Sequence, residues 1–172
     1  MSEMHVRKLV GTKLPSIKLR ATDGSDVDLS ALPGVVVVYA YPRTSPPNEA
    51  PIEGWDVIPG ARGCTPQSCA FRDHFSELKA VGAQAVFGLS TQSTAFQCEA
   101  AERLHLPFSL LSDEQLKLTS ALKLPTFTAG GLVLLKRLSM IIRDGAVEYI
   151  MFPVCDPAQN AEEVLAYLRQ AG

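Results

Sequence analysis

The chain has 172 residues, 47% hydrophobic and 20% charged, with a formal net charge of −2. That composition fits one globular domain over residues 1–172 with a substantial core, and it shows no basic stripe for nucleic acid or an anionic membrane. No apolar run reaches the length of a membrane span, and Met1-Ser2-Glu3-Met4-His5 lacks a signal core, so a soluble cytoplasmic protein is expected.

The first element in chain order is a short hairpin covering one sheet edge, with Ile17 and Leu19 alternating before an Asp23-Gly24 turn and Val27 and Leu29 after it. Val35 to Tyr41 follows Pro33-Gly34 as a continuous apolar run, the pattern of a central strand buried on both faces. Next comes an irregular stretch, Thr44 to Gly63, rich in Pro and Gly and holding the sole Trp55. Loops of this length are uncommon in compact domains and usually functional.

A helix is expected after Gly63, with Thr65 able to cap it, Pro66 at its first position, and Phe71, Phe75 and Leu78 on one face. Ala83 to Leu89 reads as the next strand, giving a right-handed β-α-β unit. Thr94 to Leu104 is a second helix, and Asp113-Glu114 opens a third running to about Leu122. Pro125 and Ala129-Gly130-Gly131 read as a flexible connection. Two antiparallel strands, Leu138 to Ile142 and Val147 to Phe152, flank the hairpin signal Asp144-Gly145. Asn160 is placed to cap a final helix carrying Val164, Leu165 and Leu168.

Chemistry concentrates at Gly63-Cys64-Thr65-Pro66-Gln67-Ser68-Cys69. At a helix start, unpaired amides and the positive dipole end favour a thiolate, the reactive form of Cys64. Residues i and i+5 of an ideal helix lie about 8–9 Å apart at Cα. A disulfide needs less than about 7 Å, so joining Cys64 to Cys69 requires the first turn to unwind. Read alone, the pair is either a thiol redox site or two small apolar helix residues. The four cysteines, at 64, 69, 98 and 155, fit neither a permanent disulfide framework in a reducing cytosol nor a zinc template.

The strand-helix-strand, strand-strand-helix order with a cysteine at the first helix resembles the thioredoxin-like α/β fold, a central mixed sheet covered by helices on both faces. Within that fold the chain resembles peroxiredoxins of the bacterioferritin-comigratory, or peroxiredoxin Q, type. The matching residues are Tyr41-Pro42-Arg43, Gly63-Cys64-Thr65 with Cys69, Phe71-Arg72-Asp73, Phe108, Leu110-Leu111-Ser112-Asp113 and Lys136-Arg137-Leu138-Ser139. The resemblance implies a thiol peroxidase with Cys64 as peroxidatic and Cys69 as resolving cysteine, and with Arg137 stabilising the thiolate and polarising the peroxide. No metal or organic cofactor is implied. The implied partners are a peroxide substrate and a thioredoxin-like reductant, for a monomer or weak homodimer.

One motif departs from the family, in which Pro and Thr precede the peroxidatic cysteine by seven and three residues. Here Pro42 lies 22 residues before Cys64 and position 61 is Ala. An insertion at about 44–63 accounts for this and gives Thr44 the place of the family Thr, with Thr65 or backbone amides as the alternative donors.

Among other candidates, Arg62 is a secondary charge near Cys64, and Cys98 and Cys155 read as structural or incidental. His74 lies too far along the helix to act as a base for Cys64, His5 and His105 carry no supporting motif, and Trp55 reads as a loop anchor. Two competing functions remain: a redox-responsive binding module with little turnover, and a general thiol-disulfide oxidoreductase, which would favour a Cys-x-x-Cys pair.

Overall fold

The computed structural model describes residues 3–45, 49, 52–55, 58 and 61–171. A short helix α1 (Glu3–Arg7) precedes the edge hairpin β1 (Lys18–Ala21) and β2 (Asp26–Asp28), then the central strand β3 (Val35–Ala40). Helices α2 (Cys64–Asp73) and α3 (Phe75–Ala80) lead to β4 (Ala83–Ser90), α4 (Thr94–Arg103), β5 (Leu110–Ser112) and α5 (Lys117–Leu122). The hairpins β6 (Thr126–Ala129) with β7 (Leu132–Leu135) and β8 (Leu138–Arg143) with β9 (Ala146–Met151) come before the last helix, α6 (Asn160–Ala171).

Seven strands form one mixed sheet in the order β2-β1-β5-β4-β3-β8-β9. β3 pairs in parallel with β4 and antiparallel with β8. Every residue of β3 is buried because successive side chains feed two different cores. Val36, Val38 and Ala40 join Val6, Leu118 and Leu122 beneath α1 and α5. Val35, Val37 and Tyr39 join Phe71, Leu78, Ala100, Val164 and Leu165 beneath α2, α3, α4 and α6. This is the α/β arrangement with helices on both faces, and the absence of polar alternation in β3 is its sequence trace. The β8–β9 turn forms at Asp144 and Gly145, both with positive φ (50° and 82°), the backbone this hairpin type demands.

Four local expectations need correction. The helix after Gly63 is two helices, broken at His74 (φ −98°), although Phe71 and Leu78 both still reach the core. Its cap is Gly63, not Thr65, and Pro66 sits third in the first turn, where its missing N–H still costs nothing. Asp113 does not begin α5. It follows β5 and accepts hydrogen bonds from the amides of Leu118 (3.1 Å) and Thr119 (2.7 Å), starting that helix from outside. The stretch read as a flexible connection is the β6–β7 hairpin, turned at Gly130 and Gly131 (φ 56° and 74°).

Candidate active site

Gly63 sets the geometry of the α2 start. Its φ of 105° is left-handed, and a Cβ there would lie 2.6 Å from Pro157 Cγ. Only glycine meets both conditions. The 3-10 turn Pro157–Gln159 ahead of α6 therefore packs directly against the residue before Cys64. Cys64 is the first residue of α2 and is buried, with its Sγ 3.8 Å from the Ala61 carbonyl.

Arg137 comes from the opposite side, immediately before β8. Its side chain is 4% exposed, far from the solvated edge position that a strand arginine usually takes. Nη2 donates to Cys64 Sγ at 3.3 Å, to the Arg62 carbonyl at 2.9 Å and to the Ala61 carbonyl at 3.2 Å, and Nη1 donates to Gln67 Oε1 at 2.6 Å. The two backbone oxygens fix the guanidinium plane. A guanidinium held there meets negative charge on the sulfur, and on any oxygen the sulfur attacks, with charge-assisted hydrogen bonds.

Behind it lies a buried polar chain that sequence reasoning missed. Gln67 Nε2 donates to Asn160 Oδ1 at 2.9 Å, Ser139 Oγ donates to the same oxygen, and Asn160 Nδ2 points at Met151 Sδ at 3.7 Å. Gln67 and Asn160 are wholly buried. Asn160 thus does not cap α6 with its side chain. The available signal was on α2, where Cys64, Gln67, Ser68 and Phe71 share one buried face at i, i+3, i+4 and i+7. Two polar residues on a buried stripe must have buried partners.

Tyr39 forms the floor beside this face, stacked on Phe71 with ring centroids 4.5 Å apart and donating to Ser68 Oγ at 3.0 Å. Gly88 makes room for it, since a Cβ there would lie 2.8 Å from the Tyr39 hydroxyl. Burial pushes the Tyr39 phenol well above its ordinary range, and Tyr41 is raised for the same reason.

The other sequence candidates are distributed as follows. Cys69 lies on α2 with Cys64, half-buried, and the two thiols are free. Thr44 is buried, but its partner is Gln92: the Thr44 amide donates to Gln92 Oε1 at 2.9 Å, and Gln92 Nε2 donates to the Thr44 carbonyl at 2.8 Å. Among the described residues Thr44 makes no hydrogen bond to Cys64. Arg62 is exposed and meets the site through its carbonyl. Cys98 Sγ lies 3.7 Å from the Thr22 carbonyl, and Cys155 is exposed two residues before Pro157.

His74 bonds Glu77 at 2.9 Å and His5 lies against the Leu122 carbonyl, so both are committed to other elements, and His105 is exposed just after α4. Trp55 contacts Phe127 of β6, centroids 6.1 Å apart, and the ideal Cβ position at Gly130 lies 3.3 Å from Ile52. Ile52 and Trp55 of the 44–63 stretch therefore rest on the β6–β7 hairpin, while 46–48, 50–51, 56–57 and 59–60 lie outside the described residues. Among the described residues no cluster of metal-binding side chains occurs, and no helix is long and apolar enough to cross a membrane.

Residues 9–165 match the Redoxin family. The chloroplastic peroxiredoxin Q of Oryza sativa subsp. japonica is 34% identical over 160 residues, covering 92% of this chain and 66% of that protein. The chain thus spans just under two thirds of the rice relative. The chloroplastic peroxiredoxin Q of Sedum lineare is 31% identical over 160 residues, covering 92% of this chain and 77% of that protein. Peroxidoxin BcpB from Mycobacterium tuberculosis superposes with a TM-score of 0.76 at 26% identity, over 95% of this chain and 97% of its own. Xanthomonas campestris peroxiredoxin Q, at 22% identity, shares the fold with a TM-score of 0.72 over 92% and 95%. With the cysteine, the arginine and the fold in place, these matches show that the chain belongs to the Redoxin family and, within it, to the peroxiredoxins of the Q type.

Proposed function

We propose that the chain is a thiol peroxidase acting on hydrogen peroxide and organic hydroperoxides through Cys64. The observation that carries this is the 3.3 Å approach of the Arg137 guanidinium to Cys64 Sγ at the start of α2. The Cys64 thiolate attacks the terminal peroxide oxygen, the S–O bond forms as the O–O bond breaks, and water or an alcohol leaves with a proton. Arg137 meets the charge on both the sulfur and the departing oxygen.

Cys69 then attacks the sulfenic sulfur, expelling hydroxide that leaves as water, and the resulting disulfide is reduced by the dithiol of a thioredoxin-like donor. The helix must unwind over its first turn and a half for that bond, because α2 holds the cysteines at i and i+5. A reducing compartment such as the cytoplasm keeps the remaining thiols free between turnovers. Thr44 would enter the peroxide site only by leaving Gln92, and this separation favours the second reading, a redox-responsive module with little turnover.

Stopped-flow consumption of hydrogen peroxide and an organic hydroperoxide by the reduced protein separates the two. A peroxidase consumes both far faster than a free thiol does, Cys64→Ser abolishes the reaction, and Cys69→Ser leaves one burst without recycling by thioredoxin. Activity retained in Cys64→Ser would overturn the assignment.

A further inference from the structure

We infer that Asn160 is a positioning residue for the Cys64–Arg137 pair, because its side-chain carbonyl dictates which end of the Gln67 amide faces the guanidinium. This rests on the peroxidase reading and deepens it. A guanidinium has five N–H donors and no acceptor, so whatever Gln67 presents to Arg137 must be its oxygen. That bond is 2.6 Å long. Gln67 has no exposed surface, so its orientation is decided by protein groups alone.

The deciding group is Asn160 Oδ1, which accepts from Gln67 Nε2 at 2.9 Å. A reversed Gln67 would set its carbonyl against the Asn160 carbonyl and its amide hydrogens against a cation. Asn160 is itself fixed at its other end. Its Nδ2 faces the Met151 sulfur, which accepts and cannot donate, and its Oδ1 also takes the Ser139 hydroxyl. The chain of bonds therefore runs between a group that only donates, Arg137, and one that only accepts, Met151, and a single arrangement of both amides satisfies it.

Two contacts, Asn160 on Gln67 and Pro157 on Gly63, tie the C-terminal segment to the first turn of α2. Asn160 touches neither the sulfur nor the peroxide. It acts by keeping an acceptor on Arg137, so that the guanidinium stays aimed at Cys64.

The test compares Asn160→Leu, which keeps the shape and loses the acceptor, with Asn160→Asp, which keeps an acceptor oxygen and adds a buried acid. The readout is the second-order rate constant of reduced Cys64 with hydrogen peroxide in stopped flow, with circular dichroism confirming the fold. Misdirecting one buried hydrogen bond predicts a loss of about tenfold for Asn160→Leu, against less than about threefold for Asn160→Asp. A merely structural residue would give the reverse order, since a buried acid harms packing more than leucine does.

A carboxylate offers oxygen whichever way it turns, so in a Gln67→Glu background the Asn160→Leu loss should shrink to less than about twofold. Should Asn160→Leu fail to fold, Met151→Leu, which frees Asn160 to reverse, carries the test with an expected loss of about threefold. Equal rates for wild type and the folded Asn160→Leu or Met151→Leu protein, or Asp slower than Leu, would overturn the role of Asn160 alone. A wild-type rate no faster than a free thiol would overturn it together with the peroxidase reading.

Discussion

The two ends of α2 are held by different balances of polar bonding and packing. At its start, Gly63 offers no side-chain cap, Pro66 contributes no N–H, and the turn is fixed by directional bonds through Arg137, Gln67 and Asn160. At its end, Phe71 is fully buried and stacked on Tyr39, and Arg72 Nη1 donates to the Leu104 carbonyl at 2.8 Å. Water can replace the polar bonds of a turn as it opens, whereas a buried stacked ring loses its packing with nothing to replace it. That difference would let the first turn and a half open toward Cys69 while the rest of the helix stays on the sheet, as the proposed Cys64–Cys69 disulfide requires.

Removing the packing at the far end should have the largest effect on stability. Phe71→Ala is expected to cost about 3–5 kcal/mol in denaturant unfolding, because the ring leaves a cavity against Tyr39. At the near end the loss should fall on rate: Arg137→Met should slow Cys64 oxidation by about 10²–10³-fold, equivalent to roughly 3–4 kcal/mol, measured in stopped flow. Gly63→Ala tests the junction itself. It forces a left-handed backbone and a clash with Pro157, and is expected to cost about 1–3 kcal/mol of stability and to loosen the first turn, seen as faster amide exchange at Gln67 and Ser68.

The smallest effect concerns pH. Tyr39 stays neutral in the folded protein well above the pH at which the unfolded phenol ionises, chiefly because it is buried. Its contribution is present below the ordinary tyrosine range and is lost as pH rises above about 10. Tyr39→Phe should therefore flatten the alkaline fall in melting temperature, while costing about 1 kcal/mol at neutral pH for the lost bond to Ser68.

What the sequence disclosed was what local chemistry encodes. The unbroken apolar run of β3 and the Asp144-Gly145 turn each specify backbone over a few neighbouring residues, whereas the start of α2, expected from Thr65 and Pro66, lies at Gly63. The buried arginine was legible only through the family resemblance, since a Lys136-Arg137 pair beside a strand otherwise reads as solvated. Asn160 was hidden because its partner Gln67 lies 93 positions away. An asparagine before an amphipathic stretch has the same local appearance whether it caps the helix or reaches into the core. The β6–β7 hairpin was hidden for the opposite reason: two adjacent glycines suit a flexible link and a tight turn equally, and only the pairing of Thr126-Phe127 with Leu134-Leu135 decides between them. The Thr44 assignment depends on where the following chain runs, and no short-range pattern encodes that.

The most direct test of the whole account is rapid-quench peptide mass mapping after one equivalent of hydrogen peroxide. The account predicts Cys64 sulfenic acid within the reaction phase, followed by a Cys64–Cys69 disulfide as the first turn of α2 opens. Cys64 joined instead to Cys155 or Cys98, or carried on to sulfinic acid with Cys69 still a free thiol, would contradict it.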